Sequence, residues 1–293
     1  LLSTTPGLDV YQWKRSAGTS WYVHIPHAAS DILLYRMFGI DYYDAVLLSG
    51  EYQIEEVRKL ESLRNLPPKE LKLVGVPYMD AMLERLHSEE KPRIKADPKE
   101  ETRTEMKTVL VAPSWGDSGL LKVYGERLLD ALLKTGYRIV VRPHPQSYTA
   151  DIETIRKLTE AYKDSGIIWN RDNDNFNILK EADIMISDFS GVMFDFALVF
   201  DKPFLYADFH VETAPYDSAW IEKDLWLYDA IPKIGCRLNE NDFPRIREVI
   251  DDCIANPKGK ENRVRAREET WVHLGEGKKY VADYLVKKLE EMQ

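Results

Sequence analysis

The stretch "ADIMISDFSGVMFDFALVFDKPFLYAD" (residues 182–208) runs from an apolar strand through a polar corner into an oily helix and on to a second apolar strand. Ser187, Asp188, Ser190 and Gly191 supply the polar corner. Ser and Asp are good helix N-caps and Gly permits a tight turn, so the corner reads first as punctuation. It also reads as a place where exposed backbone N–H groups and a hydroxyl meet an anion, because a helix start carries about half a positive charge. Asp195, inside the oily helix, needs a partner for its carboxylate, such as a main-chain donor or a ligand hydroxyl.

The same strand-then-helix texture extends outward in both directions. Towards the N-terminus, "WYVHI", "DAVLLSG" and "LKLVGVP" predict strands, and "ASDILLYRMFG", "EYQIEEVRKLESL" and "YMDAMLERL" predict helices. Residues 87–107 are charged, contain two prolines and lack apolar periodicity, which marks a linker centred on 91–107. Beyond it, "TVLVAP", "YRIVVRP", "IIWN", "DIMISD" and "PFLYAD" predict strands, separated by helices such as "GLLKVYGERLLDALLKTG" and "YTADIETIRKLTEAYKDSG". Near-continuous apolar strands alternating with helices indicate parallel sheets covered on both faces. The expected organisation is an α/β unit over 1–90, the linker, a Rossmann-like unit over 108–275 and a terminal helix over 276–293.

The bulk numbers fit that class. The 293 residues carry a net charge of −9, which argues against gripping nucleic acid by charge alone. No run approaches the roughly 18–20 apolar residues that span a bilayer. Cys236 and Cys253 are the only cysteines and lie far from a Cys-x-x-Cys spacing, so they read as free thiols of a reducing compartment. The chain opens on Leu1 rather than Met, and sequence upstream is expected.

In open α/β sheets, ligands settle beyond the carboxyl ends of the strands. Polar residues do follow the strands here. His24 and His27 end the first strand, Ser114 and Trp115 follow "TVLVAP", and Arg142 and His144 sit in "VVRPHP". Two prolines hold that last loop extended. Arg offers a permanently charged planar fork for phosphate, and His a donor or base near pH 7. Glycine-rich dinucleotide, Walker and His-Glu-x-x-His signatures are missing, the "DDCIA" region holds no Asp-x-Asp pair of the form expected of a metal-dependent sugar-nucleotide transferase, and "RDNDN" lacks the Gly and Glu of a Ca²⁺ loop. No metal or cofactor is expected.

Together, "VLVAPSW", "VVRPHP" and "DFSGVMFD" resemble the CDP-glycerol glycerophosphotransferase family, the teichoic acid primases and polymerases. The resemblance implies two Rossmann-like domains facing across a cleft in a GT-B-type arrangement. The first unit is short for a complete N-terminal domain of that type. The resemblance further implies transfer of a polyol phosphate from a CDP-linked donor to a lipid-linked or glycan acceptor hydroxyl, with CMP released, in cell-wall or capsule polymer synthesis. It places the general base at His27, in "HIPHAASD", although the family's Gly-Thr-Pro-Leu-Lys continuation is absent. It makes His144 catalytic, and Arg142, Ser114, Trp115, Asp188, Ser190, Gly191 and Asp195 substrate-binding. Gly116 stands where the family often carries an Arg. A cytoplasmic location is implied, with peripheral contact at the inner face of the plasma membrane left open. A GT-B-type glycosyltransferase or nucleotide-sugar enzyme, and a non-catalytic nucleotide-binding module, are the competing readings, since fold alone does not decide chemistry.

Overall fold

The structure, a computed structural model, describes residues 1–11, 13–90, 106–207, 213–221 and 224–293. All but the last two residues of the expected 91–107 linker lie outside the described residues. The chain divides into two compact units. The first comprises residues 1–84, 212–230 and 264–293, and the second residues 85–211 and 231–263.

The first unit is built on four parallel strands in the order β1–β2–β3–β4: β1 Leu2–Ser3, β2 Val23–His24, β3 Ala45–Leu48 and β4 Glu70–Leu73. Helices α1 (Tyr52–Arg64) and α2 (Pro77–Glu90) follow β3 and β4, as the apolar spacing predicts. Val23, Ala45 and Leu47 pack with Val281 and Tyr284 in one core. The last two belong to the terminal helix Gly277–Glu291, which therefore covers this sheet rather than standing apart. Burying a side chain of this size contributes about 1.5–3 kcal/mol.

A continuous second unit over 108–275 is not what forms. Residues 212–230 and 264–293 group with the first unit, and buried polar anchors explain why. Asp217 accepts the Phe38 N–H at 2.9 Å and an Arg64 Nη2 hydrogen bond at 2.5 Å. Asp80 accepts Trp271 Nε1, Gly275 N and Gly277 N at 2.7–2.8 Å. Gly75, at φ +82°, lies so close to Val272 that a Cβ would meet its carbonyl oxygen at 2.1 Å.

The helix expected over 29–39 is also replaced, by a single 3-10 turn at Ile32–Leu34. Phe38 takes a left-handed φ of 66°, and Arg36 forms an antiparallel bridge with Tyr216. The helical apolar spacing is real, but Asp31 is drawn away to cap another helix, accepting Trp226 N at 2.6 Å and Leu227 N at 3.1 Å.

The second unit contains six parallel strands: β5 Thr108–Val111, β6 Arg138–Val141, β7 Ile168–Trp169, β8 Ile184–Ser187, β9 Phe204–Ala207 and β10 Cys236–Leu238. Their order is β10–β9–β8–β5–β6–β7, the doubly wound Rossmann order. Because β6 and β7 extend the sheet to one side of β5 and β8–β10 to the other, the winding reverses between β5 and β8. In open α/β sheets such a reversal point is where ligands bind, beyond the carboxyl ends of the strands.

Two expected helices in this unit are interrupted. The one over 119–136 forms as α3 (Leu120–Val123) and α4 (Gly125–Leu133), parted where Gly125 takes φ +44°. The one after β6 forms as α5 (Ser147–Ala150) and α6 (Ile152–Ala161), parted at Asp151. The oily run after β8 is α7 (Val192–Phe194), which continues as a π-helical turn over Asp195–Val199. Such π-turns are rare and frequent at functional sites.

Candidate active site

Three loops leave the adjacent strands β6, β5 and β8 at the reversal point of the second unit. The ladder fixes their starting level. Val111 pairs with Val141 and with Ile186, and the bonds continue outward as Arg142 N to Val111 O (2.8 Å) and Ala112 N to Ile186 O (2.9 Å). Ser187 Oγ adds a 2.5 Å bond to Ala112 O. Sequence-distant polar residues are thereby brought to one edge of one sheet.

Asp188 is buried, and its carboxylate is filled by backbone. It accepts Ser114 N at 3.0 and 3.1 Å, Leu120 N at 2.8 Å and Phe189 N at 2.7 Å. Burial pushes its carboxyl above the usual range, while the Leu120, Ser114 and Phe189 N–H groups pull it back. Leu120 N opens α3, so the protein's own anion occupies the first strand-to-helix corner, where Rossmann proteins commonly seat a pyrophosphate. Asp188 thus ties the β5 loop to the β8 loop.

The β8 corner itself is open to an anion. Met193 N is the first amide the helix engages, donating to Ser190 O at 3.1 Å, so the N–H groups of Ser190, Gly191 and Val192 precede the first intrahelical bond. Ser190 and Gly191 are half-buried. One and a half turns on, Asp195 is buried, and its Oδ1 has no hydrogen-bond partner within the described structure. Desolvation pushes its pKa up to about 7. A buried carboxyl oxygen without a partner among the described residues, in a π-turn beside a half-buried helix start, is suited to a ligand hydroxyl.

In the β6 loop, Arg142 Nη1 hydrogen-bonds Asn170 Oδ1, and Asn170 Nδ2 bonds Asp172 Oδ2 at 2.8 Å. Asn170, just beyond β7, therefore orients the guanidinium. His144 is exposed, and Gln146 N–H donates to its Nδ1 at 3.1 Å. An amide can only donate, so Nδ1 carries the lone pair and the ring proton sits on Nε2. The surrounding protein lowers the His144 pKa by desolvation, which favours this neutral Nε2–H tautomer. The loop thus offers a fixed guanidinium and an imidazole N–H of known position.

Ser114 is half-buried, its Oγ is inaccessible, and it is held to Asp188 through its backbone N–H. Trp115 is exposed, and Gly116, at φ +92°, donates its N–H to Asp151 at 2.8 Å. His27 belongs to the first unit, exposed on the loop after β2, with desolvation holding its imidazole below the ordinary value. His24, three residues earlier, is fully buried. Its Nε2 lies 2.9 Å from Tyr35 Oη, and burial drives its pKa down to about 3, which makes it a neutral packing residue.

Sequence reasoning passed over Gln146 and Asn170. Asn170 was accessible to the same rule that found the others, being the polar residue that ends "IIWN". Gln146 acts through its backbone and left no side-chain signal. Among the described residues, no group of three or more His, Cys, Asp or Glu could hold a metal ion, and no helix is long and apolar enough to cross a membrane.

The second unit is doubly wound and carries an imidazole, a guanidinium and an open helix start on the loops around its winding reversal. The chain belongs to the CDP-glycerol:poly(glycerophosphate) glycerophosphotransferase family, whose sequence model matches residues 41–227. That match includes Ser114, Arg142, His144, Asp188, Ser190 and Asp195 but begins after His27. The teichoic acid glycerol-phosphate primase of Bacillus spizizenii is 31% identical over 144 residues, which cover 47% of this chain and 34% of the primase. Among solved structures, the wall teichoic acid polymerase TagF aligns with a TM-score of 0.56 at 16% identity, over 94% of this chain and 69% of the polymerase chain. The UDP-GlcNAc 2-epimerase of Neisseria meningitidis aligns with a TM-score of 0.55 at 15% identity, over 91% of this chain and 70% of that one. These structural likenesses support the two-unit Rossmann-like fold.

Proposed function

We propose that this chain transfers a polyol phosphate from a CDP-linked donor, glycerol phosphate in the family's own reaction, to an acceptor hydroxyl and releases CMP. The acceptor oxygen attacks the phosphorus that bears the polyol. The bond from that phosphorus to the bridging oxygen breaks, and CMP leaves with the bonding pair. Little covalent work falls to the protein, so positioning and charge stabilisation carry the catalysis.

The observation that carries the reading is the His144 tautomer. Gln146 N–H on Nδ1 puts the only ring proton on Nε2, the donor that charge building on a leaving phosphate requires. Arg142 supplies positive charge, and the amides at Ser190 and Gly191 supply further donors. Asp188 places the Ser114 loop and does not itself touch the anion. Asp195 is assigned to a donor hydroxyl, and Trp115 to an apolar contact with the substrate. His27 is assigned as the base that takes the acceptor proton, since its lowered pKa keeps it neutral near pH 7. A lipid-linked or glycan acceptor and a cytoplasmic setting at the membrane face belong to the same proposal.

The test is CMP release from CDP-glycerol in the presence of acceptor. His144→Ala is expected to reduce it at least 100-fold while the protein stays folded. Near-wild-type turnover in that variant, or turnover of a UDP-linked sugar and none of CDP-glycerol, refutes the assignment.

A further inference from the structure

The two cysteines, far apart in sequence spacing, converge in the second unit. Cys236 opens β10 at the sheet edge, and Cys253 lies in the last turn of the helix Ile246–Ala255. Cys253 Sγ is 3.5 Å from Phe204 O, and the next residue, Leu205, is the register partner of Cys236. Both side chains pack into the same apolar cluster with Leu205 and Ile250. Cys253 is buried, whereas Cys236 is only half-buried.

The surroundings of Cys236 are those of a thiolate. The Cys253 thiol and the Asn256 side chain hydrogen-bond its sulfur, and the Arg263 guanidinium acts on it electrostatically. Arg263 is itself buried and fixed by Asp201, with Nε at 2.9 Å from Oδ1 and Nη2 at 3.1 Å from the carbonyl oxygen. The Cys253 proton has two acceptors within reach, Phe204 O and the Cys236 sulfur.

The geometry points to Cys236 as a reactive thiol and Cys253 as its resolving partner, a modification site that a hydroperoxide converts to an intramolecular disulfide. The Cys236 thiolate attacks one peroxide oxygen and the O–O bond breaks. Sulfur is oxidised to the sulfenic acid, and the departing oxygen takes a proton to leave as water or an alcohol. Cys253 sulfur then attacks the sulfenic sulfur, the S–O bond breaks and water leaves. Two thiols and one hydroperoxide yield one disulfide, one water and one water or alcohol. Accessible, electropositively placed thiols with a neighbouring cysteine follow this course. Cys236 is the accessible thiol of the pair and Cys253 the buried one, and the Cys253 side chain lowers the Cys236 pKa, so attack begins at Cys236. In a reducing compartment the disulfide reverts by thiol exchange.

The experiment is intact-mass analysis of the full chain after brief exposure to hydrogen peroxide at pH 7, followed by alkylation with N-ethylmaleimide. The expected product lacks two hydrogens, takes up no maleimide and gives a peptide joining Cys236 to Cys253. In Cys253→Ala, oxidation is expected to stop at a sulfenic acid on Cys236 that dimedone traps. Iodoacetamide alkylation of unmodified protein is expected to reach half its maximal rate below the pH of about 8.5 that an ordinary thiol shows. Two thiols still open to maleimide after free glutathione has been oxidised, or oxidation that starts at Cys253, overturns the proposal. None of these readouts depends on phosphate transfer, so this inference stands or falls apart from the transferase reading.

Discussion

The Asp188 carboxylate holds the Ser114 backbone N–H, at 3.0 Å from one oxygen and 3.1 Å from the other, and so joins loops that follow two neighbouring strands. The same carboxylate accepts Leu120 N at the start of α3. An internal anion thereby fills the first helix start of the Rossmann unit and leaves the β6 and β8 loops to receive an external one. Asp188→Asn keeps the shape but replaces one acceptor oxygen by an amide that faces N–H donors. Loss of a buried, charge-assisted hydrogen bond costs about 1.5–3 kcal/mol. The urea midpoint is expected to fall accordingly, and the KM for the donor to rise as the Ser114 loop loosens. An unchanged midpoint removes this role.

Asp195 predicts a pH dependence of opposite sign to the usual carboxylate. Its pKa rises from 3.8 to about 7 on folding. Between those values the folded state holds a proton that the unfolded state has released, so stability falls as pH rises from about 4 to 7 and levels off above. At 1.36 kcal/mol per unit the full effect is on the order of 4 kcal/mol. Asp195→Asn is therefore expected to be more stable than the parent at pH 8 and close to it at pH 4.5, as measured by urea denaturation at both. Parallel stability–pH curves for the two proteins contradict the burial argument.

His144 is expected to act through one N–H. His144→Ala removes that donor and is predicted to lower kcat by about 10²–10³-fold, the scale of a lost oxyanion donor. His144→Gln, whose amide reaches near the Nε2 position, is predicted to retain more activity than His144→Ala. Equal losses in the two variants remove the hydrogen-bond argument and leave only shape.

His27, as base, must be neutral. Its pKa lies below the ordinary 6.5 because of desolvation, so kcat/KM is expected to fall only as pH drops below about 6.5. Asp195 titrates in the same pH range, so the profile is best read in Asp195→Asn, where a remaining acid limb belongs to His27. His27→Ala is expected to abolish that limb along with most of the activity. A limb that survives in a still-active His27→Ala assigns the base elsewhere.

The strands and the corner residues were legible because buried parallel strands write near-continuous apolar runs and their carboxyl ends must carry the polar residues that face a ligand. That logic places Arg142, His144 and Ser190 on the loops that follow β6 and β8, where the structure has them. It failed where a side chain serves a distant partner. The helix expected over 29–39 does not form, and Asp31 within it caps the helix that begins at Trp226, about 195 residues later. Asp188 looked like a ligand-facing acceptor and is saturated by backbone amides. The return of residues 264–293 to the first unit rests on Asp80, whose three partners at Trp271, Gly275 and Gly277 leave no local pattern.

The most direct test of the central claim is a crystal structure of the protein soaked with CDP-glycerol. The proposed site places diphosphate oxygens within hydrogen-bonding distance of His144 Nε2 and of the Ser190 and Gly191 amides, with Asp188 still bound to Ser114. Density for the diphosphate at the start of α3 with Asp188 displaced, or at a place touching neither the β6 nor the β8 loop, contradicts it.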